Sequence, residues 1–223
     1  MKKKSRQIHH IIEEQVRKWE RMQAEGQKVG TEIPVITISR EPGSGGRMVA
    51  ERISDYLGAD LFHREIIQGM AESSNTSTRL LETLDEKGIS VLDDWISTLV
   101  NDRHLWPDQY LQHLMKVVGA MARHGRAVIV GRGANFILPP ETIFRVRIMA
   151  PLDKRVMNVA RDFGVSTEEA RRRVLRTESD RRAFVRKYFH ANIGDPVNYD
   201  LIINMANINI AAAAEAVRGG LGM

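Results

Sequence analysis

The sequence predicts an α/β fold, a parallel sheet with helices on both faces, and three observations carry that expectation. Short apolar runs rich in β-branched residues alternate with segments whose apolar residues recur at helical spacing. One such run, Val35-Ile36-Thr37-Ile38, leads directly into glycines 43, 45 and 46 and then a helical stripe, the order strand, glycine loop, helix. The length, 223 residues, suits one sizeable domain with a small insertion and is short for two domains of average size. With 43% hydrophobic and 27% charged residues the chain can bury a core, which excludes disordered and collagen-like readings. There is no cysteine, so disulfides, thiolate metal sites and cysteine nucleophiles are excluded. No apolar run reaches 18 residues, and Met-Lys-Lys-Lys-Ser-Arg opens a polar helix, so a soluble cytoplasmic protein without a membrane partner is expected.

Taken in order, Ile8, Ile11, Ile12, Val16, Trp19 and Met22 form the stripe of an amphipathic helix from Gln7 to about Lys28, and residues 1–30 read as a unit of their own. Gly26 and Gly30 mark its end, and Pro34 opens the first strand. Met48, Val49, Ala50, Ile53 and Leu57 give the helix after the glycine loop. A short strand near Ala59 to Phe62, a helix through Ile66, Ile67 and Met70, a polar patch at Ser73 to Thr78 and short helices over 79–107 come next. Tyr110 to His124 is a longer helix ended by Gly125, and Ala127 to Val130 is a buried strand closed by Gly131-Arg132-Gly133. Ile143 to Met149 is the following strand, then a helix through Val156, Val159 and Ala160, an arginine-rich helix from Ser166 to about Tyr188, a last strand Leu201 to Asn204 and an alanine-rich helix. Trp95 and Trp106 fall between the polar patch and the longer helix, where core packing and base stacking both remain open.

A loop between a buried strand and a helix N-terminus presents unpaired N–H groups and the positive end of the helix dipole, and glycine lets an anion approach the backbone. Against the Walker A pattern, residues 41–48 keep the last glycine as Gly46 but place Glu41 at the first glycine, Arg47 at the lysine and Met48 at the hydroxyl residue. Arg47 can still neutralise β- and γ-phosphate oxygens, while magnesium loses its direct hydroxyl ligand. A plain glycine turn is the bland alternative. A dinucleotide loop also competes, with Asp60 near the place of a ribose-binding acid, but it wants Gly or Ala where Met48 stands.

Ile36-Thr37-Ile38-Ser39-Arg40 with Gly43-Ser44-Gly45-Gly46-Arg47, then Val128 through Asn135, then Asn198-Tyr199-Asp200-Leu201, together resemble the cytidylate kinase-like family over roughly residues 33–218. The resemblance implies a P-loop NTPase-type parallel sheet within residues 31–223, a helical acceptor-binding insertion at about 63–108 and an arginine-rich lid at about 164–190. It implies ATP and Mg2+, with Gly43, Ser44, Gly45, Gly46, Arg47 and Met48 around the donor phosphates. Arg132 is carried over as an acceptor-phosphate ligand, while the aspartate that follows it in true cytidylate kinases is Gly133 here. Relatives also carry an Asp where His63 stands; His63 is a substrate-binding candidate, although a solvent-facing loop histidine is the commoner outcome. Asp180-Arg181-Arg182 falls where the family has an Asp-Arg segment near the lid, so Asp180 is a substrate-binding candidate and Arg47, Arg173, Arg176 and Arg181 are catalytic ones.

Between Arg145 and Lys187 there are 13 Lys or Arg against 6 Asp or Glu, a balance of +7 that exceeds the +5 of the whole chain. Arg173 and Arg176, three apart, share a helix face. About half of these arginines are expected to be a solvated face paired with Glu168, Glu169, Glu178 and Asp180. Few aromatics interleave with them, so a nucleic-acid partner is not expected. The resulting expectation is ATP-dependent phosphoryl transfer to a nucleoside monophosphate, CMP first, against two alternatives: a non-catalytic nucleotide- or anion-binding protein, or a kinase of another small acceptor. The N-terminal stripe is expected to pack on the domain or on a second copy in a homodimer.

Overall fold

The computed structural model describes residues 2–25 and 35–223; the expected helix end at Gly26 to Gly30 and the role of Pro34 lie outside the described residues. The chain runs α1 (Lys2–Ala24), β1 (Val35–Arg40), α2 (Gly46–Leu57), β2 (Asp60–Phe62), α3 (Arg64–Glu72), α4 (Ser74–Glu82), α5 (Glu86–Asp102), α6 (Gln109–His124), β3 (Ala127–Val130), α7 (Ala134–Ile137), β4 (Ile143–Met149), α8 (Leu152–Phe163), α9 (Thr167–Phe189), β5 (Leu201–Asn204) and α10 (Ile210–Gly220). The five strands form one parallel sheet in the order β2-β3-β1-β4-β5. Ile36 of β1 is in register with Val128 of β3 and Phe144 of β4, so β1 lies in the middle, paired on both sides.

The period-two geometry of strands sorts the apolar runs between two cores. Ile36, Ile38, Val128, Val130, Val146 and Ile148 face α2 and α10, while Val35, Ala127 and Ile129 face a larger cluster built from α1 and α3–α7 with the end of α9. Every strand is parallel, so the loops after β1, β2, β3 and β4 emerge at one edge, where open α/β sheets bind ligands.

The polar patch at 73–78 is not a break but the start of α4. Ser73 caps it by accepting from the Thr76 N–H at 3.2 Å, and Ser77 and Thr78 each donate to the Ser74 carbonyl, so the hydroxyls feed the helix. Residues 86–102 form the single helix α5 rather than several short ones. Asp60 opens β2 at the edge opposite the glycine loop, and its carboxylate accepts from Lys18 Nζ at 2.7 Å and Gln15 Nε2 at 3.0 Å. That engagement, together with its place, ends the dinucleotide reading.

Of the two expectations for the N-terminal stripe, the fold shows the first: Ile12, Val16 and Trp19 are buried against the chain's own α3, α4 and α6. Trp19 stacks on His124 at 4.3 Å, and Arg79 of α4 clamps Glu13 and Glu20 of α1 at 3.0 Å each. Thr83 spends its one hydroxyl proton on the Leu80 carbonyl at 2.6 Å, so His124 donates its Nε2–H to Thr83 Oγ1 at 2.7 Å. Trp95 is half-buried and donates to the Ile137 carbonyl, whereas Trp106 is exposed. Among the described residues no helix is long and apolar enough to cross a membrane.

Candidate active site

The glycine loop between β1 and α2 takes a shape that only glycine fits. Gly43 and Gly45 have φ of +76° and +82°, and a Cβ on Gly43 would stand 2.4 Å from the Arg155 carbonyl oxygen. A Cβ on Gly46 would stand 2.8 Å from that of Arg40. Ser44, expected to face the phosphates, is buried instead. Its hydroxyl and its N–H both turn back to the Glu41 carbonyl, at 2.9 and 3.3 Å, and it does not line the cavity above the loop.

Glu41, which reads in the sequence as a departure from the glycine pattern, is the loop's anchor. Its carboxylate accepts from the Ala150 N–H at 3.1 Å and lies 3.3 Å from Arg155 Nε; Arg155 is itself buried and reaches Glu178 of α9 at 3.0 Å. Asn158 of α8 adds a bond to the Gly43 carbonyl at 2.8 Å. The loop is thereby tied to both α8 and α9, a connection sequence reasoning missed because the partners lie more than a hundred residues away.

Arg47 lines the cavity above the loop but is 66% exposed, with its Nε 2.9 Å from Glu51 Oε1 one turn on. His63 is not solvent-facing: it precedes α3 with only 15% of its side chain exposed and Nε2 3.6 Å from the same Glu51 oxygen. Its Nδ1 is buried without a partner, and burial, followed by the nearby Arg47, holds its pKa below the ordinary histidine value. It lines neither cavity of the site and stands behind the Arg47–Glu51 pair.

Two cavities adjoin at this edge. One, of about 640 Å³, lies between the glycine loop and α8 and α9, where Val159, Phe163, Arg173 and Arg176 complete its wall. The other, of about 490 Å³, is lined by Arg64, Arg132, Asn135, Phe136 and Phe184. Arg40, Thr177, Asp180 and Arg181 line both. Burial pushes Arg181 down to about 9 and Arg40 down to about 10, and each also feels the other arginines gathered there. The structure thus brings Arg173, Arg176, Asp180 and Arg181 to one cleft, with Arg132 in the adjoining cavity. Arg171, Arg172, Arg173 and Arg182 also pair along the outside with Asp153, Glu168, Glu169 and Glu178, the solvated face foreseen for about half of the stretch.

Arg132 sits at φ +55° between Gly131 at +85° and Gly133 at +69°, a left-handed run rare for a non-glycine residue and common where a site imposes strain. Its guanidinium donates to Gln68 Oε1 and lies 5.6 Å over the Phe184 ring, while its Nε is buried without a partner and burial lowers its pKa. Gly133 has a steric reason: a Cβ there would stand 2.3 Å from Phe189, whose ring stacks on Phe136. Arg40 and Arg64 were missed as site residues: Arg40 ends β1 inside a stretch that carries the resemblance and Arg64 opens α3 just after β2, and neither position by itself marks a site.

The model of the cytidylate kinase-like family matches residues 35–207. The cytidylate kinase of Ignicoccus hospitalis is 26% identical over 186 residues, 83% of this chain and 98% of that protein. That of Methanopyrus kandleri is 26% identical over 76% of this chain and 83% of its own. A crystal structure of an uncharacterized protein from Eubacterium ventriosum superposes with a TM-score of 0.67 at 21% identity, covering 85% of this chain and 98% of that one.

Proposed function

The chain belongs to the cytidylate kinase-like family, and from that premise we propose that it transfers the γ-phosphoryl group of ATP to a nucleoside monophosphate, CMP first among the acceptors. The observation that carries this reading is the pair of adjoining cavities that share Arg40, Thr177, Asp180 and Arg181. Donor and acceptor phosphates bound on either side of that wall meet at it. Phosphoryl transfer asks little covalent chemistry of a protein; alignment and neutralisation of the oxygens supply most of the rate.

In this reading the loop of Gly43, Gly45 and Gly46 holds the donor phosphates: Gly43 and Gly46 let it fold tightly against Arg155 and Arg40, and at Gly45 the space a Cβ would take meets only Met48 Cε at 3.8 Å. Arg47 joins them on leaving Glu51, with Met48 beside it on the cavity wall. Arg173, Arg176 and Arg181 close from the lid, and Arg132 holds the acceptor phosphate. Met48 brings no oxygen to a metal, and among the described residues no group of three or more acidic or histidine side chains could hold an ion alone. Asp180, and Asp162 on leaving Arg161, which holds it at 2.9 Å, line the donor cavity and would be carboxylates for a magnesium ion that otherwise takes phosphate oxygens and water. Such an ion would neutralise β- and γ-oxygens.

One observation favours a second acceptor. With Phe189 filling the space over Gly133, no carboxylate can stand there to read a cytosine ring. A coupled assay with ATP and magnesium against CMP, dCMP, UMP, AMP and GMP tests both readings. Turnover with at least one is expected. Tight ATP binding with no turnover across the panel would overturn the monophosphate reading and leave another small acceptor.

A further inference from the structure

Arg40 ends β1 directly before the glycine loop, and its side chain spans the two halves of the site. A Cβ on Gly46 would lie 3.3 Å from its Cδ, and one on Gly131 would lie 3.4 Å from its Nη1. The stem therefore runs beside the donor loop and the head lies beside the loop that carries Arg132. Two glycines, 85 residues apart, leave room for it. Among the described residues its guanidinium makes no hydrogen bond or ion pair, although Arg40 is partly buried and lines both cavities. Glu65 is the acid that faces it, while Arg47 and Arg64 face it with like charge, and Arg181 donates to its backbone carbonyl.

A partly buried cation without a bonded partner has given up part of its hydration, and nothing in the empty protein replaces that part. Such an arrangement is retained where a ligand supplies the missing charge. Arg47, which stands at the lysine position, is by contrast mostly exposed and already paired with Glu51. We propose that Arg40 is a catalytic residue that grips the phosphoryl group as it passes between the two cavities, while Arg47 acts on the donor alone. This rests on the kinase reading above.

In the step itself an oxygen of the acceptor monoester forms a bond to the γ-phosphorus, and the bond to the bridging oxygen breaks, its electron pair leaving with ADP. The acceptor monoester is mostly dianionic at neutral pH, its second pKa being about 6, so no base is needed. Arg40 moves no proton. Two of its five N–H groups hold equatorial oxygens whose charge is spread in the transition state, a bidentate grip that lysine cannot reproduce.

Three variants test this: Arg40→Gln, Arg40→Lys and, for comparison, Arg47→Gln. Arg40→Gln should lower kcat by about a hundredfold or more with the KM for ATP changed only a few-fold, the signature of an interaction made in the transition state. Arg40→Lys should recover less than a tenth of the loss, and Arg47→Gln should raise the KM for ATP. Because Arg40→Gln removes an unmatched charge, it should melt no lower than the wild type. A kcat within threefold of wild type in Arg40→Gln overturns the proposal. If the wild type turns over no monophosphate, the kinase reading fails separately, and stabilisation by inorganic pyrophosphate decides for Arg40. A rise in Tm in the wild type but not in Arg40→Gln upholds the anion grip, and an equal rise in both overturns it.

Discussion

Gly133 has its backbone at φ +69° and the Phe189 ring pressed against its Cα. Alanine there meets two costs, about 1–2 kcal/mol for a left-handed non-glycine residue and about 1–3 kcal/mol for overpacking against a ring that is itself fixed between Phe136 and Phe184. Gly133→Ala should therefore lower the urea midpoint by the equivalent of about 2–5 kcal/mol and raise the KM for the acceptor, since Arg132 is the adjoining residue. An unchanged midpoint would show that Phe189 yields freely. At this scale the sequence was informative about chemistry and silent about burial. Arg132, Arg173, Arg176 and Arg181 could be singled out because a motif or a charge run marked them, whereas Arg40 and Arg64 differ from ordinary surface arginines only in what surrounds them. His63 was misjudged for the same reason, because a loop histidine looks solvent-facing until the Arg47–Glu51 pair is laid over it.

Between elements, the glycine loop, α8 and α9 are held as one piece by Glu41, Arg155 and Glu178. Putting glycine at position 41 would bring the loop closer to the Walker pattern and yet should harm it. Glu41→Gly leaves Arg155 buried with one carboxylate instead of two and frees the Ala150 N–H, a loss of about 3 kcal/mol by the usual cost of breaking a buried pair. Chemical denaturation should report that loss, and the KM for ATP should rise with it; a more stable variant with better ATP binding would contradict the anchoring role. The strands and long helices were legible because apolar periodicity survives without tertiary knowledge. α4 was not, since its first turn is built from Ser and Thr, poor helix formers whose hydroxyls here bond back to helix carbonyls. The tie through Glu41 was equally hidden, depending on partners brought together only by the sheet order.

Over the whole molecule, α1 is fastened across α3, α4 and α6, the first of which carries Arg64 of the second cavity, and the seam has a titratable group in it. His124, buried beneath Trp19, has its pKa pushed down to about 4, by burial first, with Lys18 adding to the effect and Asp60 opposing it. The unfolded chain takes up that proton near 6.5 and the folded chain near 4, so stability is held above about pH 6.5 and lost as the pH falls to about 4, by about 3 kcal/mol. Melting curves across that window should show the fall, and His124→Gln should show a shallower one; an identical slope in both would exonerate this histidine. The same seam bears on synthesis. Trp19 is made 105 residues before His124, which at common elongation rates is about 5–20 s. Throughout that interval the apolar stripe of α1 has no finished surface to cover it, and β1 likewise waits for β3 and β4 on either side. The growing chain therefore carries the apolar stripe of α1 without its full cover until α6 is complete, and a chaperone that shields residues 12–19 on the ribosome would act on that seam.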